Sequence, residues 1–151
     1  GCVTTFDLIA TNDDTINIVK PLLPYIDYFM PSIEEARDLS QLSEPKEIAK
    51  FFMDNGATSC VFTMGEEGSV FISKDEYIKT SAFEIDVVDT TGCGDAFDAG
   101  MITALVKGFD LEKSLKFATI TSGLVATGLG SDAGIISFED SLEKMNSLKQ
   151  K

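Results

Sequence analysis

The chain has 151 residues, 44% of them hydrophobic, and its 25 acidic against 12 basic side chains give a formal charge of −13. This length and apolar content are those of one globular domain that can bury a core without disulfide or metal support. The acidic balance argues against nucleic acid or an anionic membrane surface as a partner. Histidine is absent, which excludes imidazole as a general base or metal ligand, so any catalysis must use carboxylates.

The cysteines indicate a reducing environment, and the apolar segments are too short to span a membrane. Cys2, Cys60 and Cys93 have neither CxxC spacing nor an even count, so neither a disulfide framework nor a zinc site is expected. Every apolar run is shorter than the roughly 18 residues of a membrane span. We therefore expect a soluble, cytoplasmic protein. Because the chain opens directly on the strand-like segment CVTTF, we also expect it to be the later part of a longer protein.

Strands and helices alternate in the first half of the chain. The predicted order is strand CVTTF, helix TINIVKPLL capped by Asp13 or Asp14, strand IDYFM, helix SIEEARDL, and a helix with Ser43 as its cap, Pro45 in its first turn and Gly56 after its last. Ser32 and Glu35 have the S-x-x-E spacing of a capping box at the start of the second helix.

Four further strands and three longer helices make up the second half. The predicted elements are strands SCVFTM, SVFIS and YIKTS joined by turns, a strand FEIDVV, helix GDAFDAGMITALVK stopped by Gly108, helix LEKSLKFATITSGLVATG capped by Asp110, and a last helix from about Ser137. Strands that alternate with helices, followed by helices, predict an α/β sandwich with a largely parallel sheet.

The segment DTTGCGD, residues 89–95, joins the last predicted strand to a helix and combines glycines with carboxylates. Glycines let the backbone turn and let a ligand approach, and the N–H groups of Gly92, Cys93 and Gly94 at a helix N-terminus would attract phosphate. Asp95 would repel that anion unless it had its own task, such as accepting a proton from an attacking hydroxyl. The structural alternative is a tight turn in which Asp95 helps to cap the helix. P-loop and dinucleotide fingerprints do not fit this segment.

The longer stretch DTTGCGDAFDAGMITAL closely resembles the C-terminal signature of the ribokinase-like, or PfkB, carbohydrate kinases, Asp-Thr-x-Gly-Ala-Gly-Asp-x-Phe-x-x-Gly. Only Cys93 departs from it, in place of alanine. Three more segments are similar to family segments, in family order: FMPSIEEA, VFTMGEEGSVF and KFATITSGLVATGLGS. The resemblance therefore covers nearly the whole chain.

This resemblance implies a three-layer α/β/α sandwich of the ribokinase-like class, with a mostly parallel central sheet that is incomplete at the N-terminus. Residues 1–151 would be the C-terminal nucleotide-binding portion, without the N-terminal sugar-binding half and lid. The implied activity is that of a carbohydrate kinase, which transfers a phosphoryl group from ATP to a hydroxyl of a sugar or related small molecule, with Mg²⁺ as cofactor. A homodimer is left open. The alternative is a non-catalytic nucleotide-binding or partner-binding module derived from such a kinase.

The resemblance also implies roles for individual residues. Asp95 matches the general base, and Gly92, Cys93 and Gly94 match the anion hole. Glu35 matches a glutamate that organises Mg²⁺ through water. Ser32 stands where the family has asparagine, which we interpret as a subfamily variant, and the capping box remains an alternative for Ser32 and Glu35.

The remaining implied sites surround the nucleotide. The residues that match its phosphate and adenine contacts are Thr63, Gly65, Gly68, Thr119, Ser122, Gly128 and Gly130. A monovalent-cation site, for K⁺, would use Asp89 and carbonyls at or near Thr91, Val125, Gly128, Gly130 and Gly134. A plain turn is the alternative for the hairpin glycines. Because a thiol at a helix N-terminus tends to have a lowered pKa, Cys93 is further predicted to be reactive, unless it is simply a small residue in place of alanine.

Overall fold

A computed structural model describes all 151 residues. The chain forms two compact units, which we call the sheet unit (Gly1–Met64 with Val70–Lys79) and the helical unit (Gly65–Ser69 with Thr80–Lys151). None of the helices has both the length and the apolar character needed to cross a bilayer.

Five strands form one sheet in the order β1-β2-β3-β4-β5. Their bounds are β1 Thr5–Phe6, β2 Tyr28–Phe29, β3 Ser59–Thr63, β4 Ser69–Ser73 and β5 Tyr77–Thr80. The pairs β1–β2 and β2–β3 are parallel. The connections from β3 to β4 and from β4 to β5 are too short for a parallel crossover, so these pairs are hairpins and the sheet is mixed.

The sheet unit carries three helices, α1 Thr15–Val19, α2 Ile33–Ser40 and α3 Pro45–Asp54. Its core is aromatic and aliphatic: Phe29, Phe52 and Phe62 are fully buried in one cluster with the apolar faces of α2 and α3. The rings of Phe29 and Phe52 meet edge to face, with their centroids 4.7 Å apart. Such pairs add about 0.5–1.5 kcal/mol to the free energy of burial.

Two helix starts in this unit differ from the predictions. At α1, Asp14 takes the N-cap position, as predicted, but its side chain makes no capping hydrogen bond; the side chain of Asn12 instead accepts from the backbone N–H groups of Asp14 and Thr15, at 2.9 and 3.1 Å. At α3, the N-cap is Glu44 rather than Ser43, because Pro45 takes the first helical position, where its missing N–H costs nothing.

Three longer helices form the helical unit, α4 Cys93–Val106, α5 Leu111–Val125 and α6 Phe138–Ser147. Helices α4 and α5 approach closely at Gly100, where an added Cβ would lie only 2.9 Å from the Cα of Ala118. Phe83, Phe117 and Met145 are buried in the cluster that joins α5 to α6. As predicted, α4 is followed by Gly108, whose φ of +77° is the left-handed conformation in which helices commonly end.

The prediction of a strand over the segment FEIDVV is wrong. Only Phe83 makes a ladder contact, an isolated antiparallel bridge to Gln150, while the backbone N–H of Glu84 donates to the carbonyl of Lys149 at 2.8 Å. Phe83 and Ile85 pack in the cluster between α5 and α6. Their alternation therefore reflects burial against helices rather than membership of a sheet.

Candidate active site

The glycine–aspartate loop, residues 89–95, opens α4. Gly92 is the N-cap with φ +79°, and no side chain caps the helix. A Cβ on Gly92 would lie 2.5 Å from the carbonyl oxygen of Ser131. Glycine is therefore required at residue 92 twice, by the backbone conformation and by the neighbouring loop.

The backbone donors at this helix start are only partly those predicted. The N–H of Cys93 donates to the carbonyl of Thr90 at 3.2 Å, so this donor is used within the loop. The N–H groups of Gly94 and Asp95 lie in the first turn, which has no preceding carbonyls of its own helix to bond. Together with the positive end of the helix dipole, they form a place for an anion.

Asp95 lies in the same first turn and is exposed. Its carboxylate thus stands beside the uncapped backbone donors, in contact with solvent and open to a substrate. The glycines and the carboxylate of this segment therefore lie together at the start of α4. An exposed carboxylate next to a phosphate site can take a proton from an incoming hydroxyl.

A carboxylate that sequence reasoning placed only in a cation site holds the loop together. Asp89 Oδ1 accepts from the N–H and the hydroxyl of Thr91, at 3.0 and 2.8 Å. Its Oδ2 accepts from the N–H of Gly130 at 3.0 Å. These hydrogen bonds hold the pKa of Asp89 below its usual range, and the two backbone donors contribute most of the effect. The spacing of Asp89 and Thr91 is an Asx-turn signal that the sequence did contain, whereas the bond to Gly130 has no local signal.

The predicted low pKa of Cys93 is wrong. Its thiol is half-buried, and this burial raises its pKa; a hydrogen bond with Ser122 opposes the rise without cancelling it, and the Asp89 carboxylate adds a smaller upward contribution. The contact does bring Ser122, predicted in the adenine pocket, next to the anion-hole candidate Cys93.

Thr119 is buried rather than open to a ligand. It is 7% exposed, and its hydroxyl donates to the carbonyl of Leu115 at 2.8 Å. The same oxygen lies 2.7 Å from the hydroxyl of Ser69, which is 1% exposed. Because the Thr119 proton is engaged with Leu115, Ser69 is the donor of this pair. No sequence signal linked Ser69 to Thr119.

The glycines of the 128–134 loop have different environments. A Cβ on Gly128 would lie 2.5 Å from that of Ala133, and one on Gly134 (φ +74°) would collide with the carbonyl of Leu124. At Gly130, φ is +97° but the space beside it is open. Gly128 and Gly134 therefore shape the loop, while Gly130 faces outward and contributes its N–H to Asp89. The carbonyl of Val125, also predicted near a cation, accepts from the N–H of Gly128 at 3.4 Å.

The candidate residues of the predicted hairpin are Thr63, Gly65 and Gly68. Gly65 begins a short 3-10 turn with φ +53° and open space around it. At Gly68, φ is +96°, and a Cβ would collide with the backbone of Thr80. The structure of the hairpin therefore requires glycine at this position. Thr63 ends β3 and forms an isolated parallel bridge with Ser32.

The capping box at α2 is confirmed. Glu35 Oε2 accepts from the N–H and hydroxyl of Ser32 at 2.9 and 2.7 Å, and the Ser32 hydroxyl accepts from the N–H of Glu35 at 3.3 Å. The Oε1 oxygen of Glu35 takes no part in the box. The structure contains no cluster of three or more metal-ligating side chains. One carboxylate oxygen of this kind fits Mg²⁺ that keeps most of its water or phosphate ligands, and does not fit an all-protein cage.

Comparison with solved structures places the chain in the ribokinase-like class of α/β proteins. It superposes on the ribokinase of Thermotoga maritima with a TM-score of 0.82 at 22% identity, over 96% of this chain and 49% of that one. For an E. coli protein assigned as a ribokinase II and solved with ATP and Mg²⁺, the TM-score is 0.84 at 25% identity, over 95% of this chain and 48% of that one. The predicted fold class is confirmed.

Sequence comparison is more specific. The pattern of the pfkB family carbohydrate kinases matches residues 4–137, and the chain belongs to this family. It is 31% identical to the ATP-dependent 6-phosphofructokinase of Thermoanaerobacterium thermosaccharolyticum over 87% of this chain and 41% of that protein. It is 26% identical to the ribokinase of Lactococcus lactis, over 85% of this chain and 41% of that protein. The chain thus spans about 41% of the length of these curated relatives.

Proposed function

We propose that the protein carrying this chain transfers the γ-phosphoryl group of ATP to a hydroxyl of a sugar or related small molecule. One observation carries the proposal. Helix α4 of a pfkB family chain opens on a glycine loop with no side-chain cap, and Asp95 stands exposed in its first turn. An uncapped start offers backbone donors to a phosphate, and the adjacent carboxylate offers a proton acceptor.

The proposed transfer exchanges one bond at the γ-phosphorus for another. The acceptor oxygen forms a bond to the γ-phosphorus while the bond from that phosphorus to the β–γ bridging oxygen breaks. The acceptor proton goes to the carboxylate of Asp95. The N–H groups of Gly94 and Asp95 and the dipole of α4 stabilise charge on the transferred group, and Gly92 keeps the approach open. A single backbone donor of this kind typically accounts for about 3 kcal/mol of transition-state stabilisation.

The cofactor assignments belong to the same proposal. Mg²⁺ would neutralise phosphate charge, with Glu35 Oε1 holding it through water. We assign Thr63, Gly65, Gly68, Thr119, Ser122, Gly128 and Gly130 to the surroundings of the nucleotide. Among them, Thr119 would contribute a buried wall rather than a hydroxyl contact, since its hydroxyl is engaged inside the protein.

A K⁺ requirement is a separate part of the proposal. Asp89 and Gly130 lie in contact, as a shared cation site would require, but the Asp89 oxygens already accept three hydrogen bonds. Turnover in KCl should exceed turnover in tetramethylammonium chloride at equal ionic strength. Equal rates in the two salts would remove K⁺ from the account.

The acceptor is identified by screening. Relatives of this chain include a deoxyribokinase, ribokinases, a nucleoside kinase and a fructosamine kinase. ATP-dependent phosphorylation of ribose, deoxyribose, fructose 6-phosphate, a nucleoside and a fructosamine by the protein that carries this chain should single out one class of acceptor. Tight ATP binding without transfer to any acceptor would instead support the non-catalytic module.

Asp95→Asn tests the role of the carboxylate. The variant should keep ATP affinity and lose phosphoryl transfer by about 10²–10⁴-fold, because the amide cannot accept the proton. The matched control is Asp86→Asn, an exposed carboxylate in the segment before the loop, which should turn over like the unmodified protein. Equal turnover in the Asp95 and Asp86 variants would remove Asp95 as the base.

A further inference from the structure

Asp89 joins two segments that are distant in the sequence. Its Oδ1 bonds both donors of Thr91, within the glycine–aspartate loop. Its Oδ2 bonds the N–H of Gly130, 41 residues further along the chain. One carboxylate therefore satisfies three donors, two on one loop and one on the other.

Further contacts lie beside these bonds, between residues 88–92 and residues 126–131. The N–H groups of Val88 and Asp89 donate to the carbonyl of Ala126, at 2.8 and 3.3 Å. Gly92 lies so close to Ser131 that a Cβ would not fit between them. Residues 126–131 therefore contact the start of α4 on both sides of Asp89 in the sequence. Among these contacts, Asp89 supplies the only carboxylate.

The chemistry of the three bonds requires an ionised acceptor. A carboxylate can accept on both oxygens, whereas an asparagine side chain at the same place would turn an N–H toward either Thr91 or Gly130. Hydrogen bonds to a charged acceptor are also stronger than those between neutral groups. Because Asp89 is only half-buried, water can replace a lost bond. Loss of the carboxylate should therefore alter the position of the loops more than the stability of the fold.

We propose that Asp89 is a positioning residue, whose carboxylate fastens the glycine–aspartate loop to the 128–134 loop and so sets the start of α4 for phosphoryl transfer. The inference rests on the proposed function, because the geometry it protects is that of Gly94 and Asp95.

The test compares Asp89→Asn with the Asp86→Asn control in the protein that carries this chain, by two independent measurements. The first is hydrogen exchange of the Gly130 amide, which should become at least about tenfold faster in Asp89→Asn as its acceptor is lost. The second is phosphoryl transfer, in which kcat should fall by about 10–100-fold, as misplacement of a catalytic group produces, while the KM of the acceptor stays within threefold. The control should change neither.

A second pair of variants tests the other arm without touching Asp89. Thr91→Val removes the hydroxyl donor, and Thr91→Ser restores it. In the valine variant, the backbone amides next to residue 91 should exchange faster and kcat should fall by about two- to tenfold. The serine variant should recover both values. These two variants test the fastening of the loops even if Asp89→Asn does not fold.

The outcomes separate this inference from the function on which it rests. Unchanged exchange at Gly130 in Asp89→Asn overturns the fastening role, and so does an unchanged kcat. If the unmodified protein transfers no phosphoryl group, the proposed function fails, and the exchange measurement alone still decides whether Asp89 fastens the loops.

Discussion

Two neighbouring helices of the helical unit begin in opposite ways. The N-cap of α5 is Asp110, whose side chain accepts from the N–H of Lys113 at 2.8 Å. The N-cap of α4 is Gly92, and no side chain caps that helix. A glycine N-cap gives up only a few tenths of a kcal/mol relative to a Ser, Thr, Asn or Asp cap.

The difference separates a structural helix start from a candidate binding one. At α5, a carboxylate side chain satisfies a first-turn donor and so closes the site. At α4, the glycines leave the donors of Gly94 and Asp95 uncovered, and the one carboxylate of the turn stays exposed. We infer that the uncapped start is kept for a phosphate, which would take the place of the missing cap when it binds.

The largest effect that would sharpen this comparison is expected at Gly92. Gly92→Ala should lower the free energy of unfolding by about 2–4 kcal/mol, since φ is +79° and the added Cβ would meet Ser131. Phosphoryl transfer should fall by at least about 100-fold as the loop moves. Chemical denaturation and steady-state kinetics measure the two effects.

Gly108→Ala is the matched control, at the other end of the same helix. Its φ of +77° nearly equals that of Gly92, but nothing lies within 4 Å of the added Cβ. It should cost only about 1–2 kcal/mol for the backbone conformation, with kcat unchanged. Equal losses in both variants would show that conformation alone, and not the contact with Ser131, explains the glycine at 92.

A smaller effect is expected at the capped helix. Asp110→Ala should lower the free energy of unfolding by about 1 kcal/mol, because Lys113 loses its acceptor, and should leave ATP affinity unchanged. Thermal or urea unfolding checks the first expectation, and calorimetric titration with ATP checks the second. A fall in ATP affinity would break the distinction between the two helix starts.

The smallest effect concerns the thiol in the uncapped loop. Because burial raises the pKa of Cys93, its thiolate is scarcer in the folded chain than in the unfolded chain at any pH near 8. Labelling by a thiol reagent should therefore be slower at Cys93 than at exposed Cys2, and should speed up as the pH rises toward the raised pKa. Mass spectrometry of the labelled peptides reports each rate. Faster labelling at Cys93 than at Cys2 would restore the reactive-thiol hypothesis.

The fold was predictable where local signals agreed with burial. The Ser32–Glu35 capping box and the Asp110 cap were read from the sequence, and the hairpin glycines Gly65 and Gly68 both take positive φ. The failure at FEIDVV has a physical cause: alternation reports which side chains are buried and does not tell whether a sheet or a pair of helices buries them.

The candidate site was predictable in composition and less so in detail. The residues Gly92 to Asp95 were identified from their spacing, and they do open α4. The use of the Cys93 N–H by Thr90, the burial of Thr119 and the bond from Gly130 to Asp89 each depend on the folded backbone. The first of these is a detail of local turn geometry, whereas the last two rest on long-range contacts, which leave no trace in the spacing of neighbouring residues.

The most direct measurement is an NMR titration of the protein that carries this chain with a non-hydrolysable ATP analogue and Mg²⁺, following backbone amides. The account predicts that the amides of Gly94 and Asp95 shift and saturate with the nucleotide, while the amide of Lys113, already bonded to Asp110, stays in place. If the amides of Gly94 and Asp95 are unmoved at saturating nucleotide, the uncapped start of α4 is not a phosphate site and the account is contradicted.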